Sequence, residues 1–244
     1  MKRKLVKKIT LGLFWLPLAL SAVVCAQAQD ANNPYPSMAP IDQYLIPDRN
    51  AEIALARTAA PPSVSKDATV MVLGRHGYET AVEGKNGFVC LVERGWNGAF
   101  EGDKGFWNPK SRGPDCYNPA AARTVLPIIL MRAKLALAGK SIDEMHESMK
   151  AAVEKKELRA PEPGGMAYML SKQQYLNDRV GNWYPHLMFF VPVKDNMTWG
   201  ADVPGSPLMV NTHFNGAPEP VTEFMVTVSE WSDGTPVQKG KGTH

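Results

Sequence analysis

Apolar residues recur along the chain in two rhythms. Tyr78 to Val82 alternates apolar with polar side chains and Phe88 to Val92 is almost continuously apolar, so both read as strands. Between them lies Glu83-Gly84-Lys85-Asn86-Gly87, whose Asn86-Gly87 pair readily takes the positive φ values of tight turns. The pattern predicts an antiparallel hairpin of 78–82 with 88–92, in which 88–92 is a central strand covered on both faces. Ala68 to Leu73 is a third strand beside it.

A helical spacing takes over further on. Pro127 is tolerated only in a first turn, which predicts a helix from Thr124 to Ala138 with Gly139 as its stop. Its inner face is Ile129, Leu130, Ala133 and Leu137. Ser141-Ile142-Asp143-Glu144 is a capping box that starts a second helix, with Ile142, Met145, Met149, Ala152 and Val153 on one side. The methionines read as core filler, and His146, at the edge of that stripe, as solvent-facing. Asp48 caps a short helix to about Arg57, which Pro61-Pro62 stops. Strands return at Met166 to Leu170, Leu187 to Val193, Leu208 to Thr212 and Val221 to Val228. Strands, two helices and strands again, without a regular βαβ rhythm, predict an α+β fold: a mainly antiparallel sheet with a helical hairpin packed on it.

Export changes the charge picture. Lys2, Arg3, Lys4, Lys7 and Lys8 precede an apolar core from Ile9 to Val24 and an Ala26-Gln27-Ala28 cleavage site, the plan of a secretory signal peptide over 1–28. Cys25 follows Val24 rather than a small residue, which argues against lipid attachment. Removing this segment takes five of the 27 basic residues and none of the 24 acidic ones. That leaves 22 against 24 and a formal charge of −2 in place of +3. Nothing then supports nucleic-acid binding, and no later stretch is apolar enough for stable membrane insertion. The expected product is periplasmic or secreted and bacterial. It comprises an N-terminal arm over 29–47, one domain over 48–231 and a disordered polar tail over 232–244, whose His244 reads as incidental.

Asn97 to Asn118 has glycines, two prolines and no periodicity, and reads as a long loop that needs anchoring. Only Cys90 and Cys116 remain after cleavage, and in an oxidising compartment the pair predicts a disulfide tying that loop to the hairpin. The competing reading is a nucleophilic Cys90 helped by a histidine. Its apolar strand would raise the thiol pKa and speaks against this.

Two loops gather aromatic residues. Ser171 to Pro185 carries Tyr175, Trp183 and Tyr184 just ahead of His186, and Asn196 to Pro207 carries Trp199. If the loops meet they form an aromatic-lined ligand cleft; if not, the rings anchor irregular loops to the sheet. His76, His186 and His213 are scattered and lack HxH or HExxH spacing, so no metal and no cofactor is expected.

Asn86 to Val92, Ala167 to Leu170 and Pro185 to Phe189 together resemble a set of uncharacterised exported bacterial proteins, a likeness spanning Glu52 to Val228. It implies fold and export, and no activity. Separately, the strand Val70 to Leu73 followed by Arg75-His76-Gly77 resembles the opening of the histidine phosphatase superfamily. That resemblance implies His76 as nucleophile and Arg75 as phosphate ligand, with Arg123, His186 and His213 available as distal partners. In that superfamily the motif leads towards a helix, whereas Gly77 here leads into a strand. The expected function is accordingly binding of a small molecule or an envelope partner, or a structural envelope role. The alternative is a phosphatase-like hydrolase using His76.

Overall fold

The computed structural model describes residues 33–192, 199–211, 214 and 216–238. The expected signal peptide, His213, residues 29–32 of the arm and residues 239–244 of the tail lie outside the described residues. The alternating and apolar stretches form β1 (Thr69–Gly74), β2 (Gly77–Val82), β3 (Val89–Glu93), β4 (Gly113–Tyr117), β5 (Met166–Met169), β6 (His186–Val191), β7 (Leu208–Asn211) and β8 (Thr222–Thr227). They make one sheet in the order β2-β1-β3-β4-β5-β6-β8-β7, antiparallel throughout except where β1 runs parallel to β3. The helices are α1 (Arg49–Arg57), α2 (Pro62–Ser65), α3 (Pro119–Thr124), α4 (Leu126–Leu137) and α5 (Ile142–Glu154). The content is α+β with a mostly antiparallel sheet, as the pattern predicts.

The hairpin is a correction. β2 pairs with β1, not with β3, and Arg75 and His76 form the two-residue turn between Gly74 and Gly77. Gly77 has φ +134°, which side chains rarely adopt, so the turn depends on glycine there. Gly87 does take the expected positive φ of 77°. Its segment, however, crosses the start of β1: Gly84 N donates to Thr69 Oγ1 (3.0 Å) and Lys85 N to the Asp67 carbonyl (2.7 Å). The crossing delivers β3 to the far side of β1, which is why these two strands are parallel. Two turn signals compete in this stretch, and the shorter one makes the hairpin.

The long loop is also shortened. Gly113-Pro114-Asp115-Cys116-Tyr117 is a fully buried strand, leaving residues 94–112 as the connection. Cys90 and Cys116 are directly opposed on β3 and β4 and form the expected disulfide, with S–S 1.99 Å. The bond therefore ties two neighbouring strands at the root of the connection rather than pinning its middle.

Strand parity sorts the sheet into two faces. Val70, Cys90, Val92 and Cys116 pack with Ala56, Ala59, Ala60 and Ala68 beside α1. Leu91, Tyr117, Ala167, Met169, Met188 and Phe190 point the other way, into a core shared with Ile128, Ile129 and Ala133 of α4 and with Met145 and Met149 of α5. Ser141 makes the predicted capping box with Glu144, and Gly139 ends α4 region with φ 75°. Within α4 the buried set is Leu126, Ile128, Ile129, Arg132, Ala133 and Ala136. Leu130 and Leu137 are only half-buried, and Arg132 takes an inner position that the apolar pattern assigns to none of its residues.

The segment before α1 is fastened down. Tyr44 is fully buried, its hydroxyl donating to the Trp107 carbonyl (2.8 Å) and its ring 4.9 Å from Trp96. At the other end, residues 229–238 fold back on themselves: Trp231 N donates to the Thr235 carbonyl (3.0 Å) and Lys172 pairs with Asp233 (2.8 Å). Among the described residues no helix is long and apolar enough to cross a membrane.

Candidate functional site

A cleft of about 800 Å³ opens on the inner face of the sheet. The end of β3 and the 94–112 connection form one wall, and the loop leading to β6 forms the other. The walls are stitched together by paired backbone bonds, Arg112 N to the Tyr175 carbonyl (2.7 Å) and Tyr175 N to the Arg112 carbonyl (2.8 Å). The connection folds tightly because Gly95 has no side chain: a Cβ there would lie 2.5 Å from the Gly105 carbonyl oxygen and 2.8 Å from that of Phe106. Arg132 fixes the next turn, donating to the Asn97 (3.2 Å) and Gly98 (2.9 Å) carbonyls while Glu219 holds its Nε at 2.8 Å.

Of the aromatic-loop residues, Tyr175, Trp183 and His186 line this cleft. Tyr184 and Trp199 do not; they are 44% and 47% exposed, and Trp199 stacks on Phe224, 5.0 Å away on the opposite face of the sheet. The partner of the Tyr175–Trp183 loop is thus the 94–112 connection. At the rim Asp178 collects Lys110 (2.7 Å), Tyr175 and Tyr35, a net of charge-assisted bonds that holds its carboxyl well below the usual carboxylate range. His186 is oriented by its Nδ1, 2.8 Å from the Tyr184 carbonyl; a carbonyl only accepts, so Nδ1 carries the proton. Burial lowers its pKa, and the ring is neutral at physiological pH.

Beneath the cleft lies a polar set that the sequence reading passes over. Glu93, Asp115 and Tyr117, with Glu223 from β8, surround an inner cavity of about 10 Å³, too small for a ligand. Glu93 and Asn97 line both spaces. The Tyr117 hydroxyl donates to Glu93 Oε1, and Asp115 lies within hydrogen-bond reach of Glu93. Burial raises the pKa of all three carboxyls: Glu93 upward, Asp115 well above its ordinary value, with the Glu93 charge adding to it, and Glu223 up to about 8. Burial and the Glu93 charge likewise keep the Tyr117 phenol protonated. Asn97 is 5% exposed and Asn108 fully buried. Neither amide atom of Asn97 nor the Nδ2 of Asn108 makes a well-formed hydrogen bond, although Asn97 lies within hydrogen-bond reach of the Glu93 carboxyl and lowers its pKa. Buried polar groups are ordinarily satisfied, so these invite one.

The signal for this set was parity. Glu93 shares the inward phase of Val89 and Leu91, and Glu223 that of Met225, so both carboxyls had to point into the core.

The histidine-phosphatase residues are dispersed. His76 is exposed in the β1–β2 turn and does not line the cleft; Arg75 is paired with Asp42, and Arg123 with Glu162 at 2.6 Å. Among the described residues no three His, Cys, Asp or Glu side chains are arranged to hold a metal ion. No family model matches the chain, and no curated protein or solved structure is found similar to it.

Proposed function

We propose that this is an exported protein that binds a small, uncharged polar molecule in the cleft. The observation that carries the reading is that the Asn97 amide and the Nδ2 of Asn108, whose Oδ1 accepts from Lys110 N (2.9 Å), are buried without well-formed hydrogen bonds in the wall of a solvent-open space large enough for a small ligand. Neutrality of the ligand follows from the wall's own charges. Arg94, the deep cation of that wall, is held by Glu52 at 2.9 Å and by the Tyr44 carbonyl at 2.8 Å, so it is not left to neutralise an anion, and Arg132 does not line the cleft. The disulfide supports export, since such bonds persist in oxidising compartments. In the same reading α4 and α5 are the predicted helical hairpin, packed on the sheet with Ile129 of α4, and Val125 just ahead of it, against the inner cavity.

Thermal-shift screening against neutral and charged small molecules tests this. A ligand near a hundred times its Kd should stabilise the wild type by about 2.7 kcal/mol. Asn108→Ala should blunt that response while leaving the unliganded protein folded. A broad panel that shifts nothing, or shifts both proteins equally, would overturn the assignment of the cleft.

A further inference from the structure

The cleft's chemistry is narrower than "polar", and its centre is Glu93. This carboxyl lines the cleft and the inner cavity alike, and it is gripped from behind by β4, where Tyr117 donates to Oε1 and Asp115 stands within reach of it. Beside it, within hydrogen-bond reach, is Asn97, nine-tenths buried, neither of whose amide atoms makes a well-formed hydrogen bond. Resting on the proposed ligand-binding role of the cleft, we propose that Glu93 is the acceptor that anchors a hydroxyl-rich neutral ligand, of the saccharide class, with Asp115 holding the proton that leaves Glu93 the ionised member of the pair.

The donor and acceptor inventory selects that class. An ionised carboxylate only accepts; Asn97 offers one donor group and one acceptor; Asn108 offers an unused donor. An amine would satisfy Glu93 but leave the amide donors with nothing to bond. A carboxylate ligand would satisfy the amides but meet Glu93 as a like charge. Each hydroxyl both donates and accepts, so a run of neighbouring hydroxyls completes all three groups. Tyr175 and Trp183, half-buried in the opposite wall, supply ring faces for the C–H surface of a sugar ring.

The surroundings of Glu93 are consistent with one negative charge. β4 contributes Asp115 and the neutral Tyr117, and β8 contributes Glu223. Arg132 of α4 pairs with Glu219 but keeps a buried Nη2 without a partner, and its positive charge favours the ionised form of Glu93; Arg94, the next residue in the chain, is paired with Glu52. Tyr78 of β2 donates its hydroxyl to the Val92 carbonyl (2.6 Å), and His186 of β6 is neutral. Glu93 Oε1 accepts from the Tyr117 hydroxyl whereas Asp115 Oδ1 has no partner, in keeping with the shared proton on Asp115. The sign of the pH dependence follows: binding is strongest where Glu93 is ionised and weakens as the pH falls through its raised pKa.

Calorimetric titration of the purified chain with cellobiose, maltose and N,N′-diacetylchitobiose tests the proposal, with citrate and putrescine as charged probes. At least one saccharide should bind, more weakly in acid than at neutral pH. Glu93→Gln should weaken it by about tenfold or more, the scale of a hydrogen bond to a charged group. Asp115→Asn, which keeps a donor towards Glu93 without a titratable proton, should bind within a few-fold of wild type. The wild-type pH profile carries the test if Glu93→Gln fails to fold. Binding that strengthens in acid, or an Asp115→Asn loss matching that of Glu93→Gln, overturns the proposal. Binding of citrate or putrescine that is indifferent to Glu93→Gln overturns it too but leaves the cleft a ligand site; no binding by any probe counts against both.

Discussion

Arg94 and Glu52 meet at 2.9 Å with side chains 0% and 1% exposed, joining the end of β3 to α1 in a place water does not reach. The guanidinium also donates to the Tyr44 carbonyl (2.8 Å), and Glu52 accepts from Leu73 N (3.2 Å), so one ion pair fastens the N-terminal segment, a helix and two strands. Removing one partner would strand a buried charge. Glu52→Ala is expected to cost about 3–5 kcal/mol, whereas Glu52→Leu with Arg94→Met, which removes both charges, should recover much of it. Urea midpoints of the two variants decide the matter, and a mild effect for the single substitution would mean that water reaches the pair.

The disulfide is expected to matter for stability through the unfolded chain. It spans 26 residues, a closure that removes about 3.5 kcal/mol of unfolded-state entropy at 25 °C in the chain-entropy model. Cys90→Ser, Cys116→Ser and the double variant should therefore lower the melting temperature by similar amounts. A reductant should lower that of the wild type and leave the double variant unchanged; identical melting with and without reductant would contradict this.

Glu223 makes stability fall towards alkaline pH. Burial, foremost, takes its pKa from an ordinary 4.5 up to about 8, against the opposing hydrogen bond from Asn211. Across that interval the folded protein keeps a proton that the unfolded chain has released. The contribution is complete at the acid end and is lost as pH rises towards 8, with a slope of up to about 1.36 kcal/mol per pH unit. The shift of Asp115 acts in the same direction. Glu223→Gln, which still accepts from Asn211, should flatten the profile and be the more stable protein at the alkaline end. Parallel profiles for the two would show that Glu223 titrates normally.

Gly95→Ala tests the folding of the cleft wall. The added methyl would press on two backbone carbonyls that have no side-chain freedom to yield. A loss of about 1–3 kcal/mol is expected from this overpacking. It should be accompanied by weaker ligand binding, because Asn97 and Asn108 lie on the displaced segment. Wild-type melting and binding would mean that the wall relaxes freely.

Most strands and the α5 cap were legible because their apolar spacing and capping residues act locally. Strand order was not: Gly74-Arg75-His76-Gly77 and Asn86-Gly87 are both credible turns, and only tertiary pairing chooses between them. β4 was hidden by its composition, since Gly113, Pro114 and Asp115 each disfavour a strand and Asp115 is buried next to a second carboxyl, Glu93. Tyr175, Trp183 and His186 could be picked out as aromatic and polar loop chemistry. Glu93 and Asp115 were harder to pick out, because a carboxyl in a strand ordinarily faces water; the inward parity of Glu93 with Leu91 was the one local signal, and the partners come from other strands.

The Cys90–Cys116 bond closes the base of the 94–112 connection, whose Trp96, Phe100, Phe106 and Trp107 are buried in the core on the inner face of the sheet. Loop closure grows only slowly more costly with length, by about 0.6 kcal/mol for each doubling. Residues could therefore be inserted at the exposed tip from Glu101 to Lys104 with little penalty to folding, while the Phe100 ring stays against the Arg132 guanidinium (4.4 Å) and Arg132 keeps Asn97 in place at the root. The connection is an editable tip on a packed base, fixed where it meets the core and open to change where it meets solvent.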